Sequence, residues 1–154
     1  MSDEITIVTT NRKAFHDFKI LEKFEAGIEL VGSEVKSLRE GRANLKDAYA
    51  SLREGEVMLV GMHIGPYSHT SHSGHEPYRD RRLLLHRQEI RKLKRKVSAK
   101  GHTIVPLKVY FNRSWAKVEI ALATGKRSYD KKAVIARRDQ ERALERELRN
   151  KRRV

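Results

Sequence analysis

Apolar and polar positions alternate loosely through residues 15–30, where Phe18 and Ile20 are followed by Phe24, Ile28 and Leu30. A period near two marks a strand with one buried face, so this stretch predicts one or two strands with a break near Ala26-Gly27. Gly32-Ser33 opens a short helix: Ser33 suits the N-cap, Glu34 the first turn, Val35 and Leu38 share a face, and Gly41 supplies the stop. Residues 49–52 and 57–64 read as strands joined by a hairpin at Arg53-Glu54-Gly55-Glu56. A Ser/Thr/Gly/His loop without periodicity follows at 69–77. The run Leu83-Leu84-Leu85 sits between basic residues, and strand alternation turns Leu84 away from its two neighbours. From 87 to 100 the period becomes helical, with Ile90, Leu93 and Val97 on one face and Gly101 as terminator. Residues 103–111 and 116–123 make a second strand pair about the turn Asn112-Arg113-Ser114. In the latter strand Val118, Ile120 and Leu122 alternate with Lys117, Glu119 and Ala121.

About six strands with two or three helices set among them predict a mainly β chain, folded as a small OB-like barrel with flanking helices. The pattern changes after Gly125. Residues 126–154 contain no Gly or Pro, few large apolar residues, twelve Lys/Arg and five Asp/Glu. From Ala133 onward the residues are good helix formers, with Glu145–Arg149 and Glu147–Lys151 in the favourable i,i+4 order, but they make no apolar stripe. Helix nucleation without a packed face is costly, so the segment is expected to be disordered alone and helical along a polyanion. The chain therefore divides into a barrel domain, 1–125, and a basic tail, 126–154.

Charge sharpens this division. The net charge of +14 lies in two zones: residues 79–100 hold ten Lys/Arg against Asp80 and Glu89, and the tail contributes +7. The other 103 residues, with 12 basic and 13 acidic side chains, are close to neutral. Cations concentrated this way are a footprint for phosphate. Arg79, Arg81, Arg82, Arg87, Arg91, Lys92, Lys94 and Arg95 are thus expected on an RNA-facing surface, with an outward Leu84 beside them to pack on a base or ribose. In the tail the cations are Lys126, Arg127, Lys131, Lys132, Arg137, Arg138, Arg142, Arg146 and Arg149 among others. Tyr129, lying among them outside any apolar pattern, is a candidate stacking platform for a nucleobase.

Other chemistry finds less support. The chain has no Cys, which removes disulfides, thiolate–zinc sites and thiol nucleophiles. Its opening Met-Ser-Asp-Glu is acidic and no long apolar run follows, so the expectation is a cytoplasmic protein without a membrane partner. His69-x-x-His72-x-x-His75 has regular spacing, but its Ser, Thr and Gly neighbours give no helix to hold three rings together; a polar loop is the better account, and neither a metal nor a cofactor is expected. No Gly-rich phosphate loop, G-x-S-x-G or H-E-x-x-H is present, so no catalytic residue is assigned.

Several segments, in order and spacing, resemble the tmRNA-binding small protein B (SsrA-binding protein) family over nearly the whole chain from Asn11. They are Phe24-Glu25-Ala26-Gly27-Ile28-Glu29-Leu30; Ser33-Glu34-Val35-Lys36-Ser37-Leu38-Arg39-Glu40-Gly41 with Asn44-Leu45-x-Asp47-x-Tyr49; Arg82-Leu83-Leu84-Leu85-His86; Val105-Pro106-Leu107-x-Val109-Tyr110; and Gly125-Lys126-Arg127-x-x-Asp130-Lys131. At 132 this chain has Lys where the family usually has Arg, and at 129 Tyr where many relatives have His. The resemblance implies a non-enzymatic partner in bacterial trans-translation, the rescue of ribosomes stalled on truncated messages. It implies that the barrel clasps the tRNA-like domain of transfer-messenger RNA, stands in for its missing anticodon arm and delivers it to the stalled ribosome. Glu25, Leu84 and His86 would belong to the RNA-facing surface. The tail, beginning with Gly125, Lys126, Arg127, Tyr129, Asp130, Lys131 and Lys132, would enter the decoding centre of the small subunit and the empty mRNA channel. One copy of the chain is expected per RNA. A general OB-type factor for rRNA or single strands is the other reading of the same basic zones, and a ribonuclease is a third.

Overall fold

A computed structural model describes residues 5–68, 74–98, 101–126, 142–144 and 146. In chain order the elements are β1 Ile5–Thr10, α1 Arg12–Asp17, β2 Phe18–Ile28, α2 Gly32–Arg39, β3 Ala43–Asn44, β4 Tyr49–Arg53, β5 Glu56–Val60, β6 His63–Ile64, β7 Arg81–Leu84, α3 Arg87–Val97, β8 His102–Asn112 and β9 Trp115–Gly125. Six strands run in the order β8-β4-β5-β7-β2-β9, and β9 pairs back onto β8, so the sheet closes into an OB-like barrel. Closure leaves no free edge among these strands. β1 adds to β8 from outside, and β3 and β6 form a separate ribbon.

The long strands β2, β8 and β9 bend around the barrel at two irregularities, one between Ile20 and Glu22 and one between Pro106 and Lys108. Pro106 cannot donate to a ladder, and it sits where one edge of β8 changes partner, from β4 at Ile104 to β1 at Lys108. Asn11 fills this gap. Its backbone N–H donates to Leu107 O at 2.7 Å, its side-chain amide donates to Pro106 O at 2.9 Å, and its Oδ1 accepts from Ala14 N at 3.2 Å, which caps α1.

The barrel interior is filled by Phe24, Ala26, Ile28, Val57, Leu59, Leu83, Ile104, Val109, Val118, Ile120 and Leu122, with Leu38 of α2 and Leu93 of α3 packed into the same cluster. A smaller cluster of Ala14, Val105, Leu107, Ala121 and Ala123 lies beneath α1. Ala121 belongs to this second cluster, so the alternation expected in β9 gives way to burial on both faces where α1 covers the sheet.

Both hairpins form at the expected turns. Glu54 and Gly55 take φ of 50° and 78°, the left-handed pair that a two-residue hairpin with matching twist requires, and Arg113 takes 57°. Three expectations are corrected. β2 runs unbroken through Ala26-Gly27, because Gly27 lies opposite Leu84 on β7: a Cβ there would sit 3.3 Å from Leu84 Cβ, so the glycine permits a close approach instead of ending the strand. Ser33 is not the N-cap of α2. Val31 occupies that position with its N–H bound to Glu34 at 2.9 Å, and Ser33 hydrogen-bonds the His75 ring at 2.8 Å. The strand expected over 57–64 stops at Val60. Gly61 turns with φ of 82°, and His63–Ile64 leaves the barrel to pair with β3.

Candidate RNA interface

α3 carries most of the barrel domain's excess charge and divides it into stripes. Leu93 is buried, and Ile90 and Val97 pack beside it against the core. On one flank Lys92 and Lys96 both bind Glu22 of β2, Lys96 at 2.7 Å. These two lysines hold the Glu22 carboxyl below its ordinary range, through their hydrogen bonds first and their charge second. On the other flank and the outer face, Arg87, Arg91, Lys94 and Arg95 are exposed and pair with no described residue; the last three, with Gln88, line a shallow depression. Two of the helix's six cations therefore fasten it to the barrel, and the other four face solvent uncompensated.

The arginines ahead of α3 are consumed internally. Arg81 was expected on the RNA-facing surface, and this is corrected: it is 0% exposed. The period of two in β7 turns Arg81 and Leu83 inward and Arg82 and Leu84 outward. The Arg81 guanidinium binds the Glu34 carboxylate, also 0% exposed, and donates to Met62 O at 2.9 Å and Pro77 O at 3.2 Å. Burial alone would raise the Glu34 pKa. The donors from Arg79, the Val31 N–H and Arg81 outweigh it and hold the carboxyl below its ordinary value. Burial pulls the Arg81 guanidinium down, against the raising influence of Glu34. Arg79 binds the same carboxylate at 2.6 Å. Arg82 is half exposed but bridges Glu29 at 2.9 Å and Glu56 at 3.0 Å. Its orientation suits a surface role, and its charge is already answered.

Beside α3 lies an open groove of about 770 Å³ whose walls include Glu25, Leu84, His86, Trp115 and Lys117. Three strands and a helix start converge here. Glu25 comes from β2; Leu84, 49% exposed, ends β7; and His86 precedes α3, its backbone N–H bound by Glu89 at 3.1 Å. The fold thus brings together the three residues that the family resemblance marks. Trp115 was not among the residues that the sequence marked for this surface. It is 72% exposed at the first position of β9. The available signal was its place immediately after the Asn112-Arg113-Ser114 turn, which puts it at the barrel rim. An exposed indole, an outward Leu, an imidazole and a carboxylate give a groove that can stack on a base and accept or donate at its edge.

Gly125 closes β9 opposite Phe18, and Lys126 donates to Phe15 O at 3.3 Å. Arg142 and Arg146 are helical and exposed. Arg127, Tyr129, Asp130, Lys131, Lys132, Arg137, Arg138 and Arg149 lie outside the described residues, as do His69 and His72. His75 is occupied by Ser33 and, at 2.9 Å, by Ile64 O. Among the described residues no His, Cys, Asp and Glu side chains gather as a metal-ligand set, and no helix is long and apolar enough to cross a membrane.

A closed small barrel with an open groove beside an uncompensated cationic helix face defines a nucleic-acid-binding barrel protein. Within that class the chain belongs to the SmpB family: the family model described as "SmpB protein" matches residues 8–150. The SsrA-binding protein of Syntrophobacter fumaroxidans is 55% identical over 152 residues, covering 99% of this chain and 94% of the relative. That of Moorella thermoacetica is 55% identical over 155 residues and covers all of both chains. Among solved structures, a chain from "tmRNA-SmpB: a journey to the center of the bacterial ribosome" superposes with a TM-score of 0.65 at 50% identity, covering 77% of this chain and 83% of that one.

Proposed function

We propose that this chain is the RNA-binding partner of transfer-messenger RNA in trans-translation, acting in the cytoplasm as one copy per RNA. The barrel holds the tRNA-like domain, takes the place of its missing anticodon arm and carries it to stalled ribosomes. The observation that carries this reading is the meeting of Glu25, Leu84 and His86 in one groove beside the free cations of α3, in a chain of the SmpB family. Folded RNA is recognised by its backbone shape together with a few stacking and edge contacts. Arg87, Arg91, Lys94 and Arg95 supply the first, and the groove supplies the second. The tail, 126–154, enters the decoding centre and the vacant mRNA channel, where rRNA phosphates offset the cost of ordering it.

The division of α3 gives a specific test. Replacing Arg91, Lys94 and Arg95 with Gln weakens transfer-messenger RNA binding and flattens the slope of log K against log salt by about 0.7–0.9 per lost phosphate contact. Replacing Lys92 and Lys96 lowers stability and leaves that slope in place, because their charge is spent on Glu22. An unchanged slope in the first variant removes the outer stripe from the interface. Competition at physiological salt separates the general single-strand factor, which is displaced by generic oligonucleotides, from a transfer-messenger RNA partner, which is not.

A further inference from the structure

Glu25 is anomalous among the acidic residues of its sheet face. It pairs in register with Glu119 on β9, so two carboxylates stand on directly opposed positions. Glu119 is neutralised by Lys23 and Lys108, each at 3.7 Å. Among the described residues Glu25 has no cationic partner, and its one side-chain hydrogen bond is from the hydroxyl of Tyr110. Tyr110 is 4% exposed on β8, with β9 lying between it and Glu25, so the phenol spans the neighbouring strand to reach the carboxylate. An uncompensated anion is a poor element for attracting a polyanion. It is a good element for accepting from N–H and O–H donors at a fixed place, provided its side chain is already oriented.

We propose that Tyr110 is a positioning residue for RNA recognition: its buried hydroxyl holds one oxygen of Glu25, so that the other faces the groove as an acceptor for base N–H or ribose 2′-OH donors. This rests on the groove being the RNA site. A neutral donor does what a lysine would not, since it orients the carboxylate without adding a charge that draws phosphate regardless of sequence or shape. The phenol also resists ionisation: burial first, and the hydrogen bond and charge of Glu25 second, raise its pKa well above the usual tyrosine value.

The test uses the full chain and full-length transfer-messenger RNA at physiological salt, with Y110F, E25Q and the double variant. Y110F is expected to weaken binding by about 10-fold, the worth of one hydrogen bond to a charged group, with the salt slope unchanged. In the E25Q background Y110F should cost nothing further. An alkaline ultraviolet titration of the free protein gives a readout that does not depend on RNA: among its five tyrosines one ionises late, and E25Q brings that one down. Wild-type affinity in Y110F, an equal further loss in the double variant, or an alkaline titration unmoved by E25Q would each overturn the role of Tyr110. Wild-type affinity in E25Q would overturn the groove itself as the RNA site, and the inference with it.

Discussion

E34Q will lose about 3–5 kcal/mol of the protein's stability. The Glu34 carboxylate is fully buried and accepts from the Val31 N–H at 2.9 Å, from Arg79 at 2.6 Å and from Arg81. The amide keeps the shape but removes the charge, leaving the Arg81 guanidinium buried without an anion. Breaking a buried pair on one side costs about 3–5 kcal/mol, against a total of about 5–15 kcal/mol for a domain. At roughly 2–4 °C per kcal/mol for a chain this long, the melting temperature should fall by about 6–20 °C. A melting point within about 2 °C of the parent protein would show that the pair contributes little beyond shape.

The same pair sets the acid limb of stability. The folded-state pKa of Glu34 lies below the unfolded value of 4.5, so its contribution is fully present above that value and is lost as pH falls through the folded pKa. The parent protein should lose stability below about pH 4.5 more steeply than E34Q does. The damage in E34Q should be local in origin. Arg81 joins β7 to Met62 O and Pro77 O, and Pro77 O in turn accepts from Ile64 N at 2.9 Å, so the carboxylate pins α2 to the segments on either side of the His-rich loop.

Removing residues 126–154 should abolish rescue of stalled ribosomes while leaving transfer-messenger RNA binding in solution within about threefold. The cut removes no barrel strand. β9 ends at Gly125, already paired with Phe18, and the β8 pairing ends at Thr124 opposite His102. It does remove +7 of the +14 net charge. In the proposed role those cations face rRNA, and they leave the groove and the outer stripe of α3 untouched. Ordering a tail costs about 1–2 kcal/mol per residue for the backbone, which only a long path of phosphates can offset. In that role a message already in the channel takes up the path that the arm would need. Loss of transfer-messenger RNA binding on truncation would refute the separation of the two surfaces.

What could be read from the linear chain was whatever depends on near neighbours. The Glu54-Gly55 hairpin, the helix carrying Ile90, Leu93 and Val97, and the outward turn of Leu84 all follow from spacings of two to seven residues, and all are present. α1 escaped because a six-residue helix that buries only Ala14 has no period to detect. The accumulation of cations at 79–100 and 126–154 was equally plain. The use made of each cation was not. Arg81 and Arg82 are adjacent and identical, yet one is sealed against Glu34 and the other faces outward between Glu29 and Glu56. Lys92 and Lys96 look like Lys94 until Glu22, 70 and 74 residues away, is brought beside them. Trp115 carries no mark in the sequence until the hairpin places it on the rim. Hydrophobic period and turn chemistry are local, so they survive in one dimension. Neutralisation of a charge, and the meeting of Glu25, Leu84, His86 and Tyr110, depend on which distant strands become neighbours, and only barrel closure decides that.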